Sequence, residues 1–354
     1  MNDGLNRNMR IWPRVSLVTW MTNASAELIW VGDSALPVSR AFARRDKNAS
    51  YITSPRSAWV DYLAAELRDQ PLAAIAIRSL GFVLYCLGID RTIFVGNFPV
   101  STSHWDRLQE CEIPRISETL STDNPDYFIG VRNILPHRHP GLAMALKDAG
   151  FHAFPARVIY EFDFTRAVEK KYSHMQKDLN LFSKSKLTSI VKSRLSKDEI
   201  GRIQSLYNKI YLQKHSLLNA QYSFEFFNDL VNADVMQCLL VVNPQHDILA
   251  FALLFEQAGT LTIPALGYDC DSETVGTYRL LFAAIYTHAK ERGILLNYSS
   301  GAGDFKRKRG GTPHLEYTYL RAPVRHSRFL NRLLQSMSIK LQSIQAETLI
   351  SYGA

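Results

Sequence analysis

The order of predicted helices and strands in the second half of the chain constrains its fold more than any other feature. A capping box, Ser196 to Glu199, begins a segment whose apolar residues recur three and four positions apart, which predicts an amphipathic helix. Ser223 begins a second, shorter helix. Three predicted strands follow, at 236–242, 248–256 and 261–266. The turns between these strands are short, and short turns join antiparallel neighbours, so the pattern predicts an antiparallel meander.

The segment after the meander combines two strands with a glycine-rich cationic loop. A helix at 277–292 ends before Gly293, and a short strand follows at 294–298. The loop contains small residues, one aromatic residue and four consecutive cations: Ser299, Ser300, Gly301, Ala302, Gly303, Phe305, Lys306, Arg307, Lys308 and Arg309. Small residues let a backbone approach a ligand, and cations attract phosphate or carboxylate. The loop is therefore a candidate anion site, and a solvent-exposed basic turn is the alternative.

The first half of the chain alternates predicted strands and helices, as α/β domains do. Residues 1–165 are predicted to form one unit that ends in a long strand at 151–164. Lysine and serine dominate 166–196, which we interpret as a basic connecting segment. Residues 197–322 are predicted to form a second unit, which is the catalytic one. Residues 323–354 are predicted to form a C-terminal amphipathic helix. The predicted fold class is α/β (α+β), with mixed, largely antiparallel sheets flanked by helices.

Composition limits the function classes without choosing among them. The 354 residues include 41 Lys and Arg against 33 Asp and Glu, and the net charge of +8 favours anionic partners. The four cysteines are widely spaced, which argues against a zinc site or a disulfide framework, and no metal is expected. The polar N-terminus has no signal-peptide pattern, so a cytoplasmic location is expected. The apolar segment 71–89 contains Arg78, so we interpret it as a buried helix rather than a membrane span.

The second half of the chain resembles the GNAT-type N-acetyltransferases, whose domain has this order of helices and strands. The sequence ERG-I before the short strand, and the loop with Gly301, Phe305, Lys306 and Gly310, are similar to one branch of that superfamily. This branch includes the FemAB-type aminoacyltransferases and the CelD (BcsL)-like acyltransferases. The end of the first half resembles the end of the first unit in the tandem FemAB arrangement. The resemblance implies tandem GNAT-like units in an N-acyltransferase.

The resemblance also implies the reaction and its substrates. Acyl transfer in this superfamily is direct attack of an amine on a thioester or ester. The usual GNAT pyrophosphate loop is missing before the helix at 277–292, where only Gly276 and the helix N-terminus are left to contact a phosphate. No permanently bound cofactor is expected, and the alternative donors are acyl-CoA, acyl carrier protein and aminoacyl-tRNA. The acceptor would be an amine on a small molecule or an envelope precursor.

The predicted catalytic residues are Tyr268, Asp269, Tyr278 and Glu316. Tyr268 and Asp269 follow the third meander strand, and Asp269 is a candidate to bind or deprotonate the acceptor amine. Tyr278 is a candidate proton donor, and Glu316 is a candidate base on the last strand. Structural roles are the alternatives: a turn-capping aspartate, a packed tyrosine and a surface glutamate.

The predicted donor-binding residues are mostly small or cationic: Gly276, Arg279, Gly301, Phe305, Lys306 and Arg309. Lys306 and Arg309 are expected to clamp a phosphate or carboxylate. His215 and Asn219 follow the first helix of the second unit and are predicted on the acceptor side.

Two other interpretations stay open. A non-catalytic nucleic-acid-binding protein would use the two basic stretches, although no recognition motif is present and no DNA partner is expected. A membrane-peripheral acyltransferase acting on a lipid-linked acceptor would place the C-terminal helix on anionic lipid. Docking of that helix on its own domain is the commoner arrangement.

Overall fold

The computed structural model describes residues 19–31, 34–40, 49–62, 64, 69, 71–96, 103, 105, 110–165, 172–272 and 276–351. All structural statements below refer to these residues. The sequence pattern also predicts a strand at 15–20 and a helix at 57–68, and both lie partly outside the described residues.

The described residues form twelve strands and nine α-helices. The strands are β1 (Ser25–Val31), β2 (Ser34–Arg40), β3 (Thr92–Val95), β4 (Phe128–Ile134), β5 (His152–Asp163), β6 (Thr188–Lys192), β7 (Gln237–Val242), β8 (Ile248–Gln257), β9 (Thr260–Thr262), β10 (Leu266–Tyr268), β11 (Leu295–Asn297) and β12 (Thr312–Arg321). The helices are α1 (Pro71–Cys86), α2 (Ile113–Asp123), α3 (Pro140–Asp148), α4 (Ser173–Lys184), α5 (Lys197–Asn208), α6 (Phe224–Asn232), α7 (Thr277–Glu291), α8 (Gly303–Arg307) and α9 (Ser327–Ser351).

All twelve strands belong to one mixed sheet. Its order is β1-β2-β3-β4-β12-β5-β11-β9-β8-β7-β6, and β10 pairs with β8. β3 with β4 and β9 with β11 are parallel pairs, and the other pairs are antiparallel. The last strand, β12, lies between β4 and β5. The sheet is therefore continuous across the predicted boundary at 165. β12 of the second half lies between two strands of the first half, and β5 of the first half lies between β12 and β11 of the second.

The helix N-termini and the meander of the second half agree with the sequence pattern. The Glu199 backbone N–H donates to the Ser196 hydroxyl, and the Ser196 backbone N–H donates to the Glu199 carboxylate. The predicted capping box is therefore confirmed. Ser223 caps α6 through the backbone N–H of Phe226. β7, β8 and β9 form the predicted antiparallel meander.

The segment predicted as a connection contains two elements of the second half. β6 pairs with β7 along its whole length, and α4 lies against α7. The side chains of β6 are largely exposed because it is the edge strand of the sheet. In α4, Met175 and Asp178 are buried while the lysines face solvent. The polar composition therefore reflects an edge strand and a helix with a narrow buried face, and not a linker.

Helix α1 corrects a second expectation, that the apolar segment 71–89 is a buried helix. Leu84 packs in a buried cluster with Leu330 of α9, but Leu72 and Phe82 are 83% and 69% exposed. One face of α1 is thus apolar and open to solvent. No described helix is both long enough and apolar enough to cross a membrane.

Candidate functional site

A cleft opens where β9 and β11 separate. The two strands are parallel neighbours as far as Thr262 and Asn297. Beyond this point Pro264 has no N–H to continue a ladder, and β10 pairs with β8. On the other side, the Tyr298 N–H donates to the Tyr160 carbonyl of β5. The strands therefore diverge, and the space between their ends has Pro264 on one wall and Tyr298 on the other.

The cleft has a volume of about 720 Å³, within the range of small-molecule sites. Aromatic residues from both halves of the chain line it, including Tyr51, Trp59 and Tyr211. Its cationic residues are Arg132, Arg157, Lys214 and Lys306. None of the described lining residues is Asp or Glu. The cleft therefore favours a substrate that has apolar or aromatic parts and at least one anionic group.

Lys306 lies in the wall of the cleft, but its ammonium group is engaged by the protein. Nζ donates to the carbonyl oxygens of Tyr298, Ser299 and Ser300 at 2.7, 3.1 and 2.8 Å. The residue is 2% exposed, and its burial, together with the charge of Arg157, lowers its pKa from 10.5 to about 7. Lys306 therefore holds the loop in place, which differs from its expected role as an anion clamp.

Arg309 and Arg279, also expected to contact an anion, instead bind one buried carboxylate. Asp178 of α4 is 0% exposed. Arg309 Nε lies 2.5 Å from its Oδ2, and Arg279 NH2 lies 2.6 Å from its Oδ1. The Arg309 guanidinium also stacks on the Phe305 ring, 3.4 Å from its centroid. Phe305 in turn packs against Tyr278, so this network joins α4, α7 and α8 directly behind the cleft.

The predicted cationic loop is partly helical. Residues 303–307 form α8, and Asp304 at its start pairs at the surface with Arg307 and with Lys308, the residue after the helix. Gly301 lines the cleft at a φ of +79°, a conformation that suits glycine. Gly276 adopts the same φ at the N-cap of α7.

Tyr268 and Tyr278 both line the cleft, with their ring centroids 5.5 Å apart. Burial raises the pKa of Tyr278 to about 12, so its hydroxyl stays protonated at neutral pH. A protonated hydroxyl is a hydrogen-bond donor for a substrate oxygen. Both residues therefore lie in the cleft, and their catalytic role stays a prediction.

The two predicted carboxylates are not among the lining residues. Asp269 binds Arg202 at 2.8 Å and Lys209 at 3.3 Å, and its hydrogen bond with Arg202 is the main cause of its lowered pKa. Glu316 is 1% exposed and accepts from Arg157 Nε and Asn133 Nδ2, both at 2.7 Å. Both carboxylates are therefore held in ion pairs with cations. A paired carboxylate is a weak proton acceptor, so neither residue is suited to the role of a general base.

Arg132 and Arg157 are cleft residues that sequence reasoning missed. Arg157 is oriented by Glu316, while Arg132 donates to the Ile52 carbonyl at 2.5 Å and lies over the Tyr51 and Phe94 rings. Burial lowers the pKa of Arg132 to about 10, which leaves it charged at neutral pH. An arginine inside the wholly buried strand β4 was the available signal, since buried charges are rare without a function or a partner.

His215 and Asn219, which were predicted on the acceptor side, also line the cleft. Asn219 is buried and donates to the carbonyls of Tyr211 and Ser216. His215 is exposed and lies beside the Tyr211 ring. His215 is therefore positioned to meet a substrate that enters from solvent.

No protein-family model and no curated protein matches the sequence. Solved structures resemble the chain in fold. L-PGS from Bacillus licheniformis is 14% identical, with a TM-score of 0.51 over 70% of this chain and 82% of that chain. A GCN5-related N-acetyltransferase from Kribbella flavida is 13% identical, with a TM-score of 0.39 over 92% of this chain and 97% of that chain. FemX is 10% identical, with a TM-score of 0.45 over 64% and 80% of the two chains.

At these identities the similarity concerns the fold and not the activity. The order of two helices, an antiparallel meander, a helix and further strands is present in α5 to β12. A parallel strand pair joined by a helix occurs in the first half as well, in β3, α2 and β4. The chain therefore has the predicted mixed α/β fold, in which a largely antiparallel sheet is flanked by helices, and this fold is similar to that of L-PGS.

Proposed function

We propose that the chain is an N-acyltransferase, in which an amine attacks a thioester or ester donor inside the cleft. The observation that carries the proposal is the divergence of β9 and β11 into a cleft of about 720 Å³ lined by both halves of the chain. A two-substrate reaction needs a site that holds donor and acceptor together, and this cleft has the size and the two-sided lining for it.

The charge of the cleft supports an anionic donor. Arg132 and Lys214 line the cleft, and the described lining residues include no carboxylate. The three donors implied by the resemblance, acyl-CoA, acyl carrier protein and aminoacyl-tRNA, all have phosphate groups. Arg132 is the proposed contact for such a phosphate, because its guanidinium keeps its charge in a buried position.

His215 is the proposed proton acceptor. The amine nitrogen attacks the donor carbonyl carbon, and the carbon–sulfur or carbon–oxygen bond to the leaving group breaks. The amine proton passes to the imidazole and from there to the leaving thiolate or alkoxide. The Tyr278 hydroxyl donates to the oxygen that becomes negative during the attack. An imidazole suits this role at neutral pH, and the described lining residues contain no carboxylate that competes for it.

Replacing His215 with alanine is expected to lower the turnover number by about 10²–10⁴-fold. The donor is first identified by native mass spectrometry with acyl-CoAs of several chain lengths, acyl carrier proteins and aminoacyl-tRNA. Turnover is then measured for wild type and His215→Ala, with the exposed His174→Ala as the matched control. Binding of none of these donors would contradict the proposed function, and unchanged turnover in His215→Ala would contradict the role of His215.

A lipid-linked acceptor is a second candidate, favoured by the surface of α1 and α9. Leu72 and Phe82 of α1 and Phe329 and Ile339 of α9 are exposed. The sequence contains no Asp or Glu in 71–86 or 327–346. The same helices have four exposed cations, Arg78, Arg328, Arg332 and Lys340. Apolar side chains beside cations favour contact with anionic lipid.

The double variant Leu72→Ser and Phe82→Ser is expected to reduce binding to anionic vesicles by about tenfold or more, since each buried apolar side chain contributes about 1.5–3 kcal/mol. The measurement is co-sedimentation with vesicles of mixed zwitterionic and anionic lipid. Met144→Ser, at another exposed apolar position on α3, is the matched control. Equal sedimentation of the double variant and wild type would exclude this surface.

A further inference from the structure

Two histidines and a glutamate converge at the junction of β5 and β12, outside the residues that line the cleft. His137 follows β4, Glu161 lies on β5 and His314 on β12. The Nε2 atoms of His137 and His314 lie 3.4 and 3.5 Å from the same oxygen, Glu161 Oε2. One donor atom from each residue lies within 4.8 Å of the others.

These distances are those of metal ligands rather than of strong hydrogen bonds. N–H···O bonds are typically 2.7–3.2 Å long, roughly, so contacts of 3.4 and 3.5 Å are long for that purpose. Ligand atoms about 2.0–2.2 Å from a tetrahedral zinc ion are about 3.3–3.6 Å apart. The imidazole rings are nearly parallel, with centroids 4.1 Å apart and both Nε2 atoms near one carboxylate oxygen, and a rotation of one ring is needed to direct both nitrogen lone pairs at one ion. The cluster therefore resembles three corners of a tetrahedral site.

The surroundings of Glu161 agree with a ligand role. The residue is 6% exposed and its second oxygen, Oε1, lies 2.9 Å from Arg138 Nε. Arg138 in turn donates to the Thr260 hydroxyl. The arginine pairs with Oε1 by charge and leaves Oε2 facing the two imidazoles, an arrangement common for the outer partners of metal ligands.

We propose that His137, Glu161 and His314 bind one divalent transition-metal ion of the zinc, cobalt or nickel class. Two imidazole nitrogens and one carboxylate oxygen suit these ions better than calcium or magnesium, which prefer oxygen ligands. The fourth position is open to water because His137 is exposed. The ion would join the segment after β4 to β5 and β12, where strands of the two halves of the chain meet.

The test uses the full chain, stripped with a chelator and titrated with zinc chloride by isothermal calorimetry. One equivalent of Zn²⁺ is expected to bind, and Co²⁺ is expected to give the visible absorption of a tetrahedral site. His314→Gln and Glu161→Gln are each expected to weaken binding by more than about 100-fold, while His174→Ala, at an exposed histidine, leaves it unchanged. Mg²⁺ is expected not to compete.

Failure of the wild-type chain to bind Zn²⁺ or Co²⁺ would overturn the proposal, as would His314→Gln binding with wild-type affinity. Circular dichroism establishes that each variant is folded. Arg138→Gln, which keeps all three ligands, is expected to retain the ion. If Arg138→Gln and His314→Gln lower the melting temperature equally, with and without zinc, the cluster is only a charge network around Glu161. These readouts are independent of acyl transfer.

Discussion

Replacing Asp178 with asparagine is expected to lower the free energy of unfolding by about 3–5 kcal/mol, the usual effect of breaking a buried ion pair. The Asp178 carboxylate is fully buried between Arg279 and Arg309. Asparagine keeps the size of the side chain but removes its charge. The Arg309 guanidinium, which is 6% exposed, would then be buried without a counter-ion. Urea unfolding followed by circular dichroism measures the loss.

The matched control is Glu256→Gln, which removes the partner of Arg292. That pair has a similar separation of 2.6 Å, but both side chains are more than one-third exposed. Solvent screens such a pair, so the control is expected to lose less than about 1 kcal/mol. An equal loss in Asp178→Asn and Glu256→Gln would contradict the view that this network holds α4, α7 and α8 together.

Replacing Lys306 with methionine is expected to disorder the loop that forms one wall of the cleft. Methionine fills a similar volume but leaves the carbonyls of Tyr298, Ser299 and Ser300 without the Nζ donor. An unsatisfied buried acceptor costs roughly 1–3 kcal/mol, and the Ser299 and Ser300 carbonyls are only partly buried, so we expect a total loss at the lower end for three acceptors, about 3–5 kcal/mol in unfolding free energy, and loss of donor binding. Thermal unfolding and native mass spectrometry measure the two effects. Full donor binding by Lys306→Met would contradict this role.

The effect of Lys306→Met on stability is expected to depend on pH. In the folded chain the pKa of Lys306 is lowered from 10.5 to about 7, so between these values the unfolded chain binds more protons than the folded one. The contribution of Lys306 to stability therefore rises with pH across this window, by at most about 1.4 kcal/mol per pH unit. Lys306→Met lacks this contribution, so its deficit relative to wild type is expected to widen toward alkaline pH. Parallel profiles would contradict the lowered pKa.

Much of the fold follows from local sequence pattern, especially in the second half. The caps at Ser196 and Ser223 and the apolar periodicity of α5, α6 and α7 are local signals, and the elements occur where these signals place them. β6 was missed because an edge strand does not need an apolar pattern. The strand predicted at 261–266 is divided by a break at Pro264. β9, before the break, pairs with β11, whereas β10, after it, pairs with β8. The cleft opens at this break, and local sequence pattern does not predict such pairing.

The candidate site was harder to predict because its charges are paired over long distances in sequence. Arg309 and Arg279 look like free cations until Asp178, more than 100 residues earlier, is placed beside them. Glu316 looks like a free base until Arg157 is placed beside it. By contrast, the positions of Tyr268 and Tyr278 could be predicted from the local strand and helix alone, and both residues line the cleft. Sequence pattern therefore predicted some residues of the candidate site, while the ion-pair partners of its charged residues are seen only in the tertiary structure.

The position of β12 between β4 and β5 has a consequence for the order in which the chain folds. The ribosome makes the first 165 residues long before the strand that separates β4 from β5. Until residues 312–321 emerge, β4 and β5 each have an edge without its final neighbour, and exposed edges invite pairing with other chains. The sheet therefore closes only after residues 312–321 are made. A nascent chain of this protein therefore depends on β12, and on whatever protects the open edges until β12 forms, to avoid aggregation.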